Sequence, residues 1–307
     1  MGKALMAGLT PARRRRRGLN RTELRWILLF IGPTAAGLIL GSLGPVVASL
    51  CISFTKWDVI VPAIYVGGRN YVELFRDPLF TRSMLNTVYY TAVSVPVGTF
   101  ASLLIALAMN QKVKGILAYR TAFFAPVVTS VTAIALVWSW IYSPDFGLLN
   151  YVLGWFGVRG PDWLSSTVWA MPAVIITSIW WGLGYDMVIF LAGLQGIPDI
   201  YYEAAKIDGA GAFRQFTHVT LPLITPSIFF VLVMSLIGSL QVFEQTYIMT
   251  KGGPAYATTT IFYYLYLNGF KYFKMGYASA MSYILFILIF VLTWISFKLQ
   301  DRWVVYQ

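Results

Sequence analysis

Six long stretches of the chain contain no Asp, Glu, Lys or Arg, and most of their positions are apolar. Each is 23 to 30 residues long, and they cover 26–55, 83–111, 121–144, 163–185, 215–243 and 275–297. A helix needs about 20 apolar residues to cross the hydrocarbon core of a bilayer. The apolar positions do not alternate with polar ones, as strands of a membrane barrel would require. The pattern predicts an all-α integral membrane protein with six transmembrane helices.

The composition agrees with this pattern. Of the 307 residues, 58% are hydrophobic and 11% are charged, whereas a soluble domain carries about 25% charged residues. The first apolar run is about twice as long as the core of a secretory signal peptide, so we expect it to stay in the protein. Cys51 and His218 are the only residues of their kinds, and their isolation predicts no metal site.

The basic residues indicate the orientation. The net charge is +11, and five arginines at 13–17 stand just before the first apolar run. Cationic residues beside a span hold that side in the cytoplasm. We therefore predict cytoplasmic N- and C-termini, with a basic arm at 1–25, a membrane domain at 26–300 and a tail at 301–307. The excess charge is explained by the membrane surface and lipid, and no nucleic-acid partner is predicted.

A polar segment, EAAKIDGAGAFRQFTHVTLPLITP, joins the fourth and fifth apolar runs at 203–226. Residues 201–206 favour a helix with Glu203 near its start, where an acidic group complements the helix dipole. The sequence at 208–211, Asp-Gly-Ala-Gly, breaks it, and 212–219 favours a second short helix. This predicts a cytoplasmic helix–turn–helix, which either transmits force from a soluble partner or is an ordinary amphipathic loop.

No catalytic or nucleotide-binding motif accompanies these spans. The chain has no G-x-x-x-x-G-K-[ST] sequence, so it does not bind ATP through a P-loop. No Ser/His/Asp set and no carboxylate pair for catalysis is apparent, and we predict that the chain is not an enzyme. The charge-free stretch at 252–270 is rich in polar residues, which predicts an interfacial segment rather than a seventh span.

Several short motifs resemble one family of transporters. They are Glu-Ala-Ala at 203–205 with Asp-Gly-Ala at 208–210, LAGLQGIP at 191–198, FGLLN at 146–150 and TKGGP at 250–254. The first is similar to the EAA motif of ABC-importer permease subunits, and the others resemble the carbohydrate-uptake branch, specifically the larger permease of maltose-type importers. The resemblance extends from about residue 26 to residue 300.

This resemblance implies a type I ABC-importer permease in a bacterial or archaeal cytoplasmic membrane. Its partners would be a second permease, two ATPase subunits and an extracytoplasmic substrate-binding protein. ATP and Mg would bind the ATPases, with no cofactor on this chain. The coupling segment, 199–220, would dock on an ATPase. The residues implied to form this contact are Glu203, Ala204, Ala205, Asp208, Gly209 and Ala210.

The same resemblance points to a substrate path within the spans. Ser178, Trp181 and Gly182 match substrate contacts in the family. Ser235 and Ser239 are four residues apart and share one helix face, which lines the transport cavity in the family. For both groups the alternative is tight helix packing. Two further matching positions, Val127 and Val131, are apolar here. The implied substrate is a disaccharide, an oligosaccharide or a related polyol such as glycerol-3-phosphate.

Two acidic residues lie within or beside the apolar runs. Charges within spans usually face a cavity or a partner. Asp186 either pairs with a cation of the second permease, binds a substrate hydroxyl or stays protonated. Gln241 and Glu244, near the outer end of the fifth span, either bind sugar or belong to a gate. If the protein were a self-sufficient ion-coupled secondary transporter instead, Asp186 and Glu244 would be its ion ligands.

Overall fold

The computed structural model describes residues 21–111 and 113–305. Most of the basic arm predicted at 1–25 lies outside the described residues, as do the last two residues of the predicted tail. The chain divides into two compact units, Met1–Cys51 and Ile52–Gln307.

The described part of the first unit is helical. Helix α1 (Arg21–Leu38) continues through a π-helical turn (Ile39–Leu43) into helix α2 (Gly44–Ser53). Pro45 has no N–H to donate, and the helix widens into the π-turn just before it. The stretch Leu29–Ser53 is long and apolar enough to cross a membrane.

The second unit is also helical, apart from one short hairpin. Its elements in chain order are β1 (Thr55–Lys56), β2 (Ile64–Tyr65), α3 (Arg69–Arg76), α4 (Pro78–Met109), α5 (Ile116–Val128), α6 (Val131–Ile141), α7 (Leu148–Trp155), α8 (Ala170–Gln195), α9 (Asp199–Ile207), α10 (Ala212–Gln215), α11 (Leu221–Leu223), α12 (Thr225–Leu240), α13 (Glu244–Met249), α14 (Ile261–Tyr266) and α15 (Met275–Gln300). The two strands pair antiparallel.

The predicted spans are partly continuous and partly bent. Leu29–Ser53, α4, α8 and α15 are single helices long and apolar enough to span a membrane, whereas α5 and α6 meet at 101° and the α10–α11 stretch meets α12 at 60°. If each bent pair counts as one span, the described chain has six. Pro126, Pro222 and Pro226 lie at these breaks, because proline lacks the N–H that would continue the helix. The predicted all-α membrane class is confirmed. The sequence pattern did not predict the two bends.

Helices α4, α8 and α12 form the centre of the second unit, and α5 also packs on α8. Gly184 of α8 lies against the backbone of Phe123 in α5, where a Cβ atom would overlap the Phe123 carbonyl. Small residues at such crossings let two backbones approach closely in a membrane protein. This contact fixes where α5 crosses α8.

The middle of the stretch predicted as an interfacial segment is buried within the protein. Thr258, Thr259 and Thr260 are at most 1% exposed. The amide of Asn86 in α4 donates to the Thr259 carbonyl at 2.9 Å, and Thr87 accepts from the Ile261 amide at 2.9 Å. These side chains supply the partners that irregular backbone needs at such depth. Helix α14 is too short for a seventh span, as predicted, and the interfacial position of the segment stays a prediction.

Asp77 joins three helices. It caps α4 by accepting from the Leu79 amide at 2.9 Å, and its other oxygen accepts from the hydroxyls of Tyr264 and Tyr277 at 2.6 Å each. Burial alone raises the pKa of the Asp77 carboxyl, but these hydrogen bonds outweigh burial and hold the pKa below its ordinary value of 3.8. The charged carboxylate therefore stabilises the junction of α4, α14 and α15.

We predict that Tyr277→Phe lowers the free energy of unfolding by about 1.5–3 kcal/mol, the range for a hydrogen bond to a charged group. Because the folded pKa of Asp77 is depressed, the stabilisation is complete above about pH 4 and is lost as the pH falls through the folded pKa. The measurement is thermal unfolding of the detergent-purified protein between pH 3 and pH 7. Tyr65→Phe, at an exposed tyrosine, is the control, and equal unfolding of Tyr277→Phe and wild type at pH 7 would contradict the prediction.

Candidate functional site

A cavity of about 780 Å³ lies among the central helices of the second unit. It is lined by α4, by the break between α5 and α6, by α8, by α12 and α13, and by Phe262 of α14. This volume is within the usual range for a site that holds a small molecule.

Four of the predicted residues reach the cavity from α8: Ser178, Trp181, Gly182 and Asp186. They recur every three or four residues, so they share one helix face. The Ser178 hydroxyl donates to its own helix, at the Val174 carbonyl. The indole N–H of Trp181 points at the Thr129 carbonyl in the break between α5 and α6, at 3.4 Å.

The other four predicted residues reach the cavity from α12 and the start of α13: Ser235, Ser239, Gln241 and Glu244. Ser235 of α12 lies close enough to the Asp186 carboxylate of α8 to interact with it. Ser239 is 8% exposed and donates to the Leu236 carbonyl at 2.9 Å. Gln241 and Glu244 are exposed where α12 ends.

The structure therefore brings all eight predicted intramembrane residues to one cavity, although they come from two separate spans. Val127 and Val131 also line it, so the apolar positions noted in the sequence form an apolar patch of the wall. Each of the eight residues is therefore placed where it can face a substrate in the cavity.

Asp186 and Glu244 are the charged residues of the lining, and no Lys, Arg or His of the described chain contributes to it. The ion pair found among the described residues joins Arg69 and Glu73, so neither acid is neutralised by a cation of this part of the chain. The electrostatic potential inside the cavity is therefore negative wherever these carboxylates are ionised.

Helix α4 contributes a wall that sequence reasoning missed. Its cavity-lining residues are Tyr90, Ser94, Val95, Gly98, Thr99 and Ser102. The available signal was the spacing of the small polar residues at 94, 98/99 and 102, which places them on one face of a helix. The family resemblance implied contacts on the third, fourth and fifth spans.

Aromatic rings form part of the cavity wall. Phe243 and Phe262 line it, with ring centroids 5.7 Å apart. The Phe243 ring also stacks on Tyr247 at 5.4 Å and contacts Tyr266 at 5.0 Å. Apolar ring faces of this kind suit a ligand that presents both hydroxyl groups and C–H faces.

The polar segment between α8 and α12 has the predicted helix–turn–helix form. Helix α9 ends at Ile207, the turn passes through Gly209 at φ +75°, and α10 follows. The Gln215 amide closes the turn by donating to the Ala210 carbonyl at 2.8 Å, and the hydroxyls of Tyr202 and Thr220 meet at 3.0 Å.

One detail of this segment differs from the prediction. Helix α9 begins at Asp199, directly after Pro198, because the fixed φ of proline suits the entry to a helix better than its interior. Asp199 is therefore the acidic residue of the first turn, and Glu203 lies in the second turn.

The predicted coupling residues lie on an open surface. Glu203, Ala204, Asp208 and Gly209 are exposed, and Ala205 and Ala210 are half-buried. Three large apolar side chains stand beside them: Ile200, Ile207 and Phe213 are 67%, 86% and 78% exposed. An apolar patch of this kind, next to a charged residue, is typical of a surface that binds another protein.

Comparison with known proteins places this architecture in a family. Residues 71–305 match the model of the binding-protein-dependent transport system inner membrane component. The probable ABC transporter permease YurN of Bacillus subtilis strain 168 is 37% identical over 88% of this chain and 94% of that protein. The lactose transport system permease LacF of Rhizobium radiobacter is 35% identical over 88% of this chain and 92% of that protein.

A solved structure agrees with these matches. It is a bacterial alginate ABC transporter in complex with an alginate pentasaccharide-bound periplasmic protein, and one of its chains superposes with a TM-score of 0.80. The sequences are 25% identical, over 92% of this chain and 95% of that chain.

The resemblance to ABC-importer permeases is confirmed by these matches, and nothing in them supports an ion-coupled secondary transporter. The family match, the similar relatives and the helical fold together show that this chain belongs to the binding-protein-dependent transport system inner membrane components, and that it is a transport component rather than an enzyme.

Proposed function

We propose that this chain is a permease subunit of an ATP-driven importer, and that it carries a carbohydrate through the cavity by alternating access. The observation that carries the proposal is the meeting of eight polar or small residues from two spans around one cavity. Its hydroxyl, amide and carboxylate groups match the hydrogen-bonding capacity of a sugar. The names of two relatives, a lactose permease and an alginate transporter, support a carbohydrate.

The proposed assembly contains this chain, a second permease, two ATPase subunits and an extracytoplasmic substrate-binding protein. The solved alginate transporter, which is in complex with a periplasmic protein, supports the last of these partners. ATP and Mg bind the ATPases in this scheme. The complex lies in the cytoplasmic membrane of a bacterium or archaeon, with both termini of this chain in the cytoplasm.

Coupling occurs through α9 and α10. Their exposed side chains Ile200, Ile207 and Phe213 offer apolar surface to a cleft on the ATPase. The small side chains of Ala204 and Ala205 permit close approach, and Glu203 supplies an acceptor. Only the short stretch 196–198 separates α9 from α8, so displacement of α9 is transmitted directly to the helix that carries Asp186.

Inside the cavity, Asp186 and Ser235 act together on one sugar hydroxyl, which donates to the carboxylate in a charge-assisted hydrogen bond. Trp181 offers its ring face to a pyranose face. Ser178, Gly182 and Ser239 complete the surface around this position. Gln241 and Glu244, exposed at the end of α12, hold the sugar as it enters or leaves.

The assembly is tested by purifying the chain from its native membrane in mild detergent and identifying bound proteins by mass spectrometry. We expect an ATPase and a second permease in stoichiometric amounts, and ATP-dependent sugar uptake after reconstitution with the binding protein. A chain that purifies alone and catalyses uptake driven by an ion gradient would refute the proposal.

We predict that Asp186→Asn in the reconstituted complex lowers the initial uptake rate about 10- to 100-fold, because a charge-assisted hydrogen bond is worth about 1.5–3 kcal/mol. Uptake of radiolabelled sugar is the measurement, and co-purification of the partners shows whether the complex still assembles. Glu73→Gln, outside the cavity, is the control. Loss of assembly with Asp186→Asn would instead indicate an ion pair with the second permease.

The turn of the coupling segment allows a matched pair of glycine variants. Gly209 has φ +75°, whereas Gly211 has φ −70°, and an added Cβ meets no atom within 4 Å at either position. Alanine at position 209 is therefore strained by about 1–2 kcal/mol, and alanine at position 211 is not. We predict that Gly209→Ala reduces ATP-dependent uptake and ATPase binding several-fold while Gly211→Ala does not. Equal uptake by the two variants would contradict a role for the shape of this turn.

A further inference from the structure

Three hydroxyl groups on the cavity face of α4 lack a partner in the described chain. The Oγ atoms of Ser94 and Ser102 and the Oγ1 atom of Thr99 are buried and accept or donate no hydrogen bond there. All three residues line the cavity. Ser102 is fully buried and Thr99 is 8% exposed, so neither hydroxyl is an ordinary solvated surface group.

Other hydroxyl groups on the central helices donate hydrogen bonds to the backbone of their own helix. On α4 itself, Ser83 donates to the Leu79 carbonyl at 2.7 Å and Thr87 to the Ser83 carbonyl at 2.8 Å. On α8, Thr177 and Ser178 also donate to carbonyls four residues earlier. Bonding back to the helix is the usual way to satisfy a hydroxyl in a span. Four hydroxyls of α4 depart from this pattern, and three of them, on Ser94, Thr99 and Ser102, line the cavity, whereas Thr91 does not.

An unpartnered hydroxyl costs stability, so close packing alone does not account for three of them. A buried hydroxyl without a hydrogen bond is destabilising, and replacement by an apolar group of the same shape removes the penalty. Alanine would permit the same helix approach. Rotation about χ1 moves Oγ between staggered positions at low cost, which brings each hydroxyl to the cavity side, where a ligand can satisfy it.

The charge of the cavity lining restricts the chemical class of the ligand that these hydroxyls bind. Asp186 and Glu244 are its charged residues, and none of its described residues is a cation. A phosphorylated or uronic-acid sugar would meet like charges without a compensating Lys or Arg from this chain. An uncharged sugar meets acceptors in the carboxylates and both donors and acceptors in the hydroxyls of α4.

We infer that the α4 face carrying Ser94, Thr99 and Ser102 is a third wall of the binding site, which hydrogen-bonds the hydroxyls of an uncharged carbohydrate. This inference rests on the proposed function and narrows it. It assigns to α4 the sugar contacts opposite α8 and α12, and it disfavours anionic cargo such as glycerol-3-phosphate.

The first experiment measures uptake by the complete reconstituted complex at saturating binding protein. The radiolabelled probes are lactose, maltose and raffinose as neutral sugars, and glycerol-3-phosphate and digalacturonate as anions. We expect uptake of at least one neutral probe, at a rate well above that of both anions. Faster uptake of either anion would overturn the inference but leave a carbohydrate or polyol importer. No uptake of any probe would contradict the proposed function itself, and the inference with it.

The second experiment compares Ser94→Ala, Thr99→Val and Ser102→Ala with Thr293→Val. Thr293 on α15 also has an unpartnered buried hydroxyl, but it does not line the cavity, so it controls for the loss of such a group alone. We expect each α4 variant to lower uptake of the best neutral probe about 3- to 10-fold at subsaturating sugar. Thr293→Val should leave it unchanged.

Two further readouts separate sugar contact from a structural role. The unfolding temperature of each α4 variant should equal or exceed that of wild type, because an unsatisfied hydroxyl is removed. The ratio of uptake rates among the three neutral sugars should change, since each sugar places its hydroxyls differently. Wild-type rates in all three variants, or a fall that is equal for every probe and accompanied by a lower unfolding temperature, would overturn the role of α4.

Discussion

The structure depends on one constraint: polar groups out of reach of water must find their partners within the protein. Lipid supplies no hydrogen bonds, so each such group that lacks a partner costs several kcal/mol. Side chains of Thr258–260 and their neighbours form hydrogen bonds with the irregular backbone before α14. The Asp77 carboxylate accepts hydrogen bonds from two tyrosine hydroxyls and one helix amide. The places that break the rule are therefore informative, and most of them lie on the cavity face of α4 or next to it.

Two of the helices that line the cavity, α8 and α12, are connected by the exposed segment at 199–220. Helix α8 leads into α9, and α10 and α11 lead back through a 60° bend into α12. A rigid displacement of α9 and α10 would therefore act on both α8, which carries Asp186, and α12, which carries Ser235. Alternating access requires such an element with two arrangements, and the bend at Pro222 and Pro226 separates the exposed segment from α12.

In the proposed function, charge and hydrogen bonding divide the recognition of cargo between them. The lining carries two carboxylates, on Asp186 and Glu244, and hydroxyls from α4, α8 and α12. The relatives include a permease named for lactose, a neutral sugar, and one for alginate, an acidic polysaccharide. Similar chains are therefore named for both kinds of cargo, and the shared fold by itself does not fix which kind is carried.

The sequence alone determined the membrane class, the places of the spans and the helix–turn–helix with its EAA motif, because length, apolar runs and turn residues act locally. The family resemblance named Ser178, Trp181 and Ser235 as candidates, and Asp186 stands out because a charge within an apolar span is rare. Only the tertiary structure decided that these side chains share one cavity, that 258–260 are buried and that two spans are bent. It alone revealed the α4 wall. Whether a hydroxyl donates to its own helix or stays available for a ligand depends on the side-chain rotamer and on the neighbouring helices, and no local sequence pattern encodes either.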